Sequence, residues 1–419
     1  MSGNDDEERK DSMSGPLAGV RVADMTMNVM GPYAAQILGD MGADICKIEP
    51  PEGDTLRGVG PSRSPGMGPY FLHLNRNKRS LALDLKKPGA RAALHRILAR
   101  ADVLLYSFRP QAMARLGAAY AEIAAINPRI IYCGAFGYGQ NGPYAAKPAY
   151  DDLIQSAISL PVLQARGVGE PTYVVTTIAD RTVGLMAASS VGMALYYRER
   201  TGRGQSIEVP MFETMAQYVM GDHLYGLTFE PPMGSAGYVR LMDPNRRPYR
   251  TKDGHIGVLV YNDKHWRRFF ALAGRPEMAE DPRFASMATR TRNIGFLYNF
   301  LSETFATKTS AEWLALLEAA DIPAVRLNTP ETLIEDPHMQ AIDFFKLVEH
   351  PSEGRIRVMG MPQTWSESQP EVTREAPLLG EHSVELLGEY GLGKDEIAAL
   401  LAADAAIDGR PKARATSRP

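Results

Sequence analysis

The sequence predicts an α/β protein with a large domain on a parallel sheet and a smaller α+β domain. Three observations carry this expectation. Strand-like and helix-like segments alternate from Gly19 onward, the alternation breaks near Phe229, and 419 residues exceed what one ordinary core organises.

In order, "GVRVADMT" reads as a strand, "GPYAAQILGDMG" as a helix and "ADICKIE" as a strand. "PGARAALHRILARA" has helical spacing of its apolar residues, "DVLLYSF" is a strand, and "AYAEIAAIN" with "RIIYCGAF" repeats the pair. The residues Val174 to Ala179 read as a buried strand or extended segment, and Arg181 to Leu195 as a helix of small residues that admits close backbone approach. From Phe229, "EPPMGSAGYVRLMDPNRRPYR" is rich in Pro, Gly and Arg and reads as a linker. "GHIGVLVY" then looks like a strand, and "DKHWRRFFALAG", "NIGFLYNFLSETFA" and "SAEWLALLEAAD" look like amphipathic helices. The expected organisation is a tail at 1–15, the large domain at 16–228, linker and small domain at 229–330, a return segment at 331–402 and a basic tail at 403–419.

Composition narrows the function. The apolar share of 44% and charged share of 23% are those of a globular protein. A net charge of −3 with dispersed Lys and Arg argues against a nucleic-acid surface. No run approaches the ~18–20 apolar residues of a membrane helix, and the charged start lacks the apolar stretch of a signal peptide. Cys46 and Cys133 lie in strand-like segments and read as core residues rather than a disulfide. A cytoplasmic protein is expected.

Gly137-Tyr138-Gly139-Gln140-Asn141-Gly142 matches G-x-G-x-x-G after a strand, but Pro143 and Pro148 follow where a dinucleotide fingerprint must open a helix. Nicotinamide binding is therefore not expected. The eight histidines lack metal-ligand spacing, and neither a G-x-S-x-G elbow nor a Walker loop is present. "NRNKRS", with Arg76, Lys78 and Arg79, is open to two readings: a solvated turn or a phosphate site. Asp180, in "TYVVTTIADRTVG", is likewise either an N-cap or a carboxylate held toward substrate.

Several of these segments together resemble the class III CoA-transferases (CaiB/BaiF-type, formyl-CoA transferase-like). The likeness runs from about Pro16 to about Leu400 through "PLAGVRVADMT", "GPYAAQILGDMGADICKIEPPEGD", "NRNKRSLALDLK", "NPRIIYCGAFGYGQNGPYA", "IADRTVGLMAASSVGMALYYRERTGRGQSIEV", "YRTKDGHIGV" and "PLLGEHSVELL". It implies a Rossmann-like parallel-sheet large domain built from N- and C-terminal parts, a small domain between them, and an interlocked homodimer. It also places the catalytic aspartate at Asp180. A carboxylate with an unperturbed pKa of ~3.9 is ionised at pH 7 and needs no activating base. Coenzyme A is implied as a co-substrate carried from an acyl-CoA to a small carboxylic acid, with no other cofactor and no metal.

Carried over residue by residue, the resemblance puts Lys86 and Arg115 at the CoA phosphates, and Leu83 and Phe108 against its adenine and pantetheine. Ser107 stands where relatives often carry Asn, Pro50 replaces a basic residue, and Arg79 becomes a phosphate neighbour with Arg76 and Lys78. Tyr150 and Asp151 match a Tyr/acid pair lining the acyl site, a helix cap being the plain alternative for both. Val29 occupies the substrate position where oxalate-using relatives carry Gln, so oxalate is not expected, and "MGSAGYVRL" is only a weak counterpart of a closing glycine loop. The same likeness includes α-methylacyl-CoA racemases, which exchange an α-proton through an Asp and a His. Tyr150 replaces that His, which favours the transferase.

Overall fold

The computed structural model describes residues 15–166 and 169–410, in two units. Most of the two expected tails lies outside the described residues.

The first unit comprises, among the described residues, 15–158, 175–216 and 341–410. Its sheet contains β1 (Arg21–Met25), β2 (Asp44–Glu49), β3 (Lys78–Leu83), β4 (Val103–Tyr106), β5 (Ile131–Phe136) and β6 (Gln205–Pro210), all parallel. The strands read as near-continuous apolar runs because helices cover both faces of a parallel sheet. Their order is β3-β2-β1-β4-β5-β6, so the winding reverses between β1 and β4. That reversal opens a crevice at the carboxyl ends of those two strands.

One face buries Ala23, Cys46, Leu81 and Leu104 against Leu94 and Ile97 of the helix Pro88–Leu98. Leu386, Leu387 and Leu400, from the C-terminal helices Ser383–Glu389 and Lys394–Ala402, join the same cluster. The chain thus returns to complete this unit. The return starts at Ala341, later than residue 331, and the second unit starts at Gln217 and also takes in 159–174.

The second unit's three-stranded antiparallel sheet comprises β7 (Tyr249–Arg250), β8 (His255–Val258) and β9 (Ala324–Arg326), packed on an aromatic core around Trp266, Phe269, Phe305 and Trp313. Within the first unit, β10 (Phe345–His350) and β11 (Gly354–Met359) form a hairpin. β12 (Ala406–Ile407) adds antiparallel to Leu83 and Ala82 of β3, so the segment after 402 is not all tail. Cys46 and Cys133 are buried and unpaired. No helix among the described residues is long and apolar enough to cross a membrane.

The helix Ile178–Thr201 lies against the helix Met30–Asp40. Its buried stripe is Ala179, Val183, Gly184, Ala187, Val191 and Ala194, small residues at helical spacing. A Cβ on Gly184 would stand 2.7 Å from the Met30 carbonyl, so glycine is required by the contact. Val175 is fully exposed and the helix begins at Ile178, so of the two expectations for 174–179 the buried strand does not form.

Candidate active site

Two cavities meet at the crevice. The first, of about 270 Å³, is lined by Asp180 and Tyr150 with Met27, Asn28 and Ser107. The second, of about 400 Å³, is lined by Leu83, Lys86, Phe108 and Arg115. Met27 lines both, and Ser107 and Phe108 are consecutive residues that face one each. Loops after β1 and β4 therefore form the shared wall.

Asp180 is in the first turn of its helix, two residues past Ile178, with Thr177 at the N-cap. It is not the N-cap. Thr177 makes no side-chain cap; instead Asp151 Oδ1 accepts the Asp180 backbone N–H at 2.9 Å. Asp151 is buried, and its Oδ2 accepts from Gln155 Nε2 at 2.6 Å. The acid next to Tyr150 thus supports the helix start from behind and does not line the cleft. It also acts on Asp180 electrostatically. Burial first, and the Asp151 carboxylate second, push the Asp180 carboxyl up to about 7, against the pull of Arg181. This corrects the expectation of a group fully ionised at pH 7.

A proton balance follows from that shift. Between about pH 4 and 7 the folded state binds more protons than the unfolded state, so stability falls as pH rises through this window. Asp180→Asn is expected to raise the melting temperature above pH 7 and to lose that advantage near pH 4. The expected gain is at most a few kcal/mol, less what solvent screening removes. A reaction that needs this carboxyl ionised would therefore slow, in kcat/KM, as pH drops below about 7. Asp151→Asn removes the like charge and is expected to move that limb to lower pH.

Tyr150, 66% exposed, is the N-cap of the helix Asp151–Ala157 without a side-chain cap and projects at the cleft rim. Its approach explains part of the glycine motif. A Cβ on Gly137 would stand 2.1 Å from Ala149 Cβ, so the loop passes here only because residue 137 is glycine. No helix follows the motif until Asp151.

Four expected residues lie elsewhere. Val29 is buried with Leu56, Phe71 and Leu74, so its side chain fills core rather than the cleft. Arg79 is buried against Asp44 at 2.6 Å and Glu385 at 2.7 Å. It sits four residues, roughly 13 Å at ~3.3 Å each, before Leu83 at the groove end of β3. Arg76 likewise pairs with Asp40 and Lys78 with Asp24, so "NRNKRS" is neither a solvated turn nor a phosphate site. These cations are spent inside the fold.

Asn28 escaped the sequence reading. It lines the cleft with φ +66°, and its backbone N–H donates to Asp54 Oδ1 at 3.2 Å. Asp54 in turn holds the buried Lys47 ammonium at 2.9 Å. Below, Asp24 accepts from the Thr26 N–H and hydroxyl and from Lys78 Nζ at 3.1 Å. Glu49, close by, accepts two bonds from Arg57; burial would raise its carboxyl, but these bonds and the Lys47 charge take it down to about 2. Buried charges thus fix the loop carrying Met27 and Asn28. An Asn after a strand at a βα turn, a residue tolerant of positive φ, was the available signal.

A wound sheet whose switch point carries a carboxylate beside a largely apolar groove of mixed charge is the arrangement in which α/β proteins place ligands, at the strand ends. Residues 17–383 match the model of CoA-transferase family III, and the chain belongs to that family. It is 32% identical over 404 residues to the formyl-CoA:oxalate CoA-transferase of Streptomyces coelicolor, covering 91% of this chain and 97% of that one. It is 30% identical over 387 residues to the succinate–glutarate CoA-transferase of Agrobacterium fabrum, covering 89% and 95%. The crystal structure of a CaiB/BaiF family protein from Brucella suis superposes with a TM-score of 0.76 at 29% identity, covering 90% of this chain and all of that one.

Proposed function

We propose that the protein moves CoA from an acyl-CoA to a free carboxylic acid, with Asp180 as nucleophile. The observation that carries this reading is the Asp180 carboxyl in a cleft that shares a wall with the Lys86/Arg115 groove. CoA would lie in the groove, its phosphates toward Lys86 and Arg115 and its apolar parts against Leu83 and Phe108, with the thioester past Met27. The relatives named above transfer CoA between acids, which supports the reaction class.

In the proposed steps an Asp180 oxygen bonds to the acyl carbon and CoA leaves as thiolate, forming a mixed anhydride. The thiolate attacks the aspartyl carbon, and the donor acid departs carrying one Asp180 oxygen. The acceptor carboxylate then attacks the aspartyl thioester, and the thiolate takes its acyl group, returning Asp180 with one acceptor oxygen. Carboxylate and thiolate suffice for every step. An acceptor labelled with ¹⁸O should therefore place label in Asp180 and, one turnover later, in the released donor acid. Label confined to the acyl-CoA product would exclude the route.

The racemase alternative needs a second acid/base group opposite Asp180. No histidine lines the cleft, and the residue in the position of the racemase histidine, Tyr150, stands exposed at its rim. Tyr150→Phe is expected to lower transfer about tenfold, for one hydrogen bond of ~1 kcal/mol or slightly more. The wild-type protein is expected to wash no deuterium from D₂O into the α-carbon of a branched acyl-CoA. Tyr150-dependent deuterium uptake would make this an isomerase.

The proposal includes an interlocked homodimer. One face of the helix Ile178–Thr201 leaves Leu185, Met193 and Tyr196 at 51%, 67% and 66% exposure in a single chain, an apolar stripe at helical spacing. A second copy is the proposed cover. Sedimentation should show a dimer whose melting temperature rises with protein concentration. A folded monomer at low micromolar concentration would refute it.

A further inference from the structure

The second unit contains a cavity of about 360 Å³ that shares no lining residue with the Asp180 cleft or the Lys86/Arg115 groove. Arg166, Arg246 and Arg247 line it, with no Asp or Glu in its wall, and Tyr249, Val258 and Tyr298 supply much of the rest. We propose that this cavity binds a small organic dianion through carboxylate or phosphate groups held by Arg246 and Arg247.

The arginines are presented by a built turn. Asp243 Oδ1 accepts the Asn245 N–H at 2.8 Å, and the Asp243 carbonyl accepts the Arg246 N–H at 3.1 Å. Arg166 ties the turn from the side, its Nη1 donating to the carbonyls of Asp243 at 3.2 Å and Arg246 at 2.7 Å. Arg166 itself has φ +54°, a left-handed conformation that a non-glycine residue keeps only where its surroundings demand it. Pro248 then limits the chain beyond Arg247. Arg246 and Arg247 remain exposed and make no ion pair among the described residues.

The far wall has the same polarity. Arg240, buried, lies beside the Tyr298 side chain, close enough for its guanidinium to face the phenol oxygen. A phenol oxygen that accepts from a guanidinium has its own O–H left to donate. Two planar guanidinium forks, one hydroxyl donor and apolar sides from Val258 and Tyr249 match an anion with a short carbon body. A neutral or cationic ligand would leave these donors unanswered.

Calorimetry on the full chain at constant ionic strength tests this, with succinate in one arm, inorganic phosphate in the other and chloride as control. Saturable binding is expected in at least one arm, and the responding arm identifies the group recognised. The R246A/R247A double variant should weaken it at least tenfold with an unchanged melting temperature, and R246K/R247K should fall between. Should the double variant melt early, Tyr298→Phe, which removes only the hydroxyl, is expected to weaken binding several-fold. Binding in neither arm, or undiminished binding by the variants, would overturn the proposal.

Discussion

Replacing Asp180 by Ala or Asn is expected to reduce CoA transfer by on the order of a thousandfold or more while CoA still binds. An amide cannot form the anhydride, so Asn should be no better than Ala despite its shape. Helix integrity is not at stake, because the cap at this helix start is the Asp151 side chain and not Asp180. Stability should hold or rise above pH 7, since a buried carboxyl pushed up to about 7 is removed. Calorimetric titration with CoA, beside a transfer assay, separates the two effects. If both variants kept more than a few per cent of activity, another group would be the nucleophile.

Asp24→Ala is expected to cost about 3–5 kcal/mol of stability, measured by chemical denaturation. Asp24 and Lys78 have no exposed side-chain surface, and burial already takes the Lys78 ammonium down to about 8 despite its partner. Removing Asp24 leaves a buried cation without a counter-charge and frees the Thr26 N–H. Against a typical total of ~5–15 kcal/mol this is a large fraction. The double variant Asp24→Ala/Lys78→Met should cost less than Asp24→Ala alone, because no charge is stranded. By contrast, Arg96→Ala, which breaks a half-exposed pair with Glu396, should cost no more than ~1 kcal/mol. Equal costs for Asp24 and Arg96 would show that the buried pair does not hold the fold. Because Thr26 starts the loop to Asn28, transfer should fall with Asp24 as well.

The alternation of the first unit was legible because parallel strands buried on both faces read as apolar runs, and amphipathic helices declare themselves by spacing. Leu83, Lys86, Phe108 and Arg115, which the family likeness singled out, do line one cavity. Arg79 was misread for a physical reason. A charged run looks the same whether water or the fold neutralises it, and the partners of Arg79 lie 35 and 306 residues away. Local sequence likewise left Asp180 between a cap and a catalytic role. Asp151, 29 residues earlier, takes the capping role through tertiary contact. The rise of the Asp180 carboxyl could not be foreseen either, since burial and a facing acid are properties of the assembled unit. Nor could Val29, whose place in the chain matches a substrate position while its side chain turns into core.

The central claim is that an acyl or CoA group resides covalently on Asp180 during turnover. Its most direct test is to mix the protein with an acyl-CoA, add hydroxylamine, digest, and read the mass of the peptide containing Asp180. The proposed anhydride and thioester are both activated acyl groups, so a hydroxamate at Asp180 is predicted, dependent on acyl-CoA and absent from Asp180→Asn. An unmodified Asp180 peptide in a preparation that is turning over substrate would contradict the account.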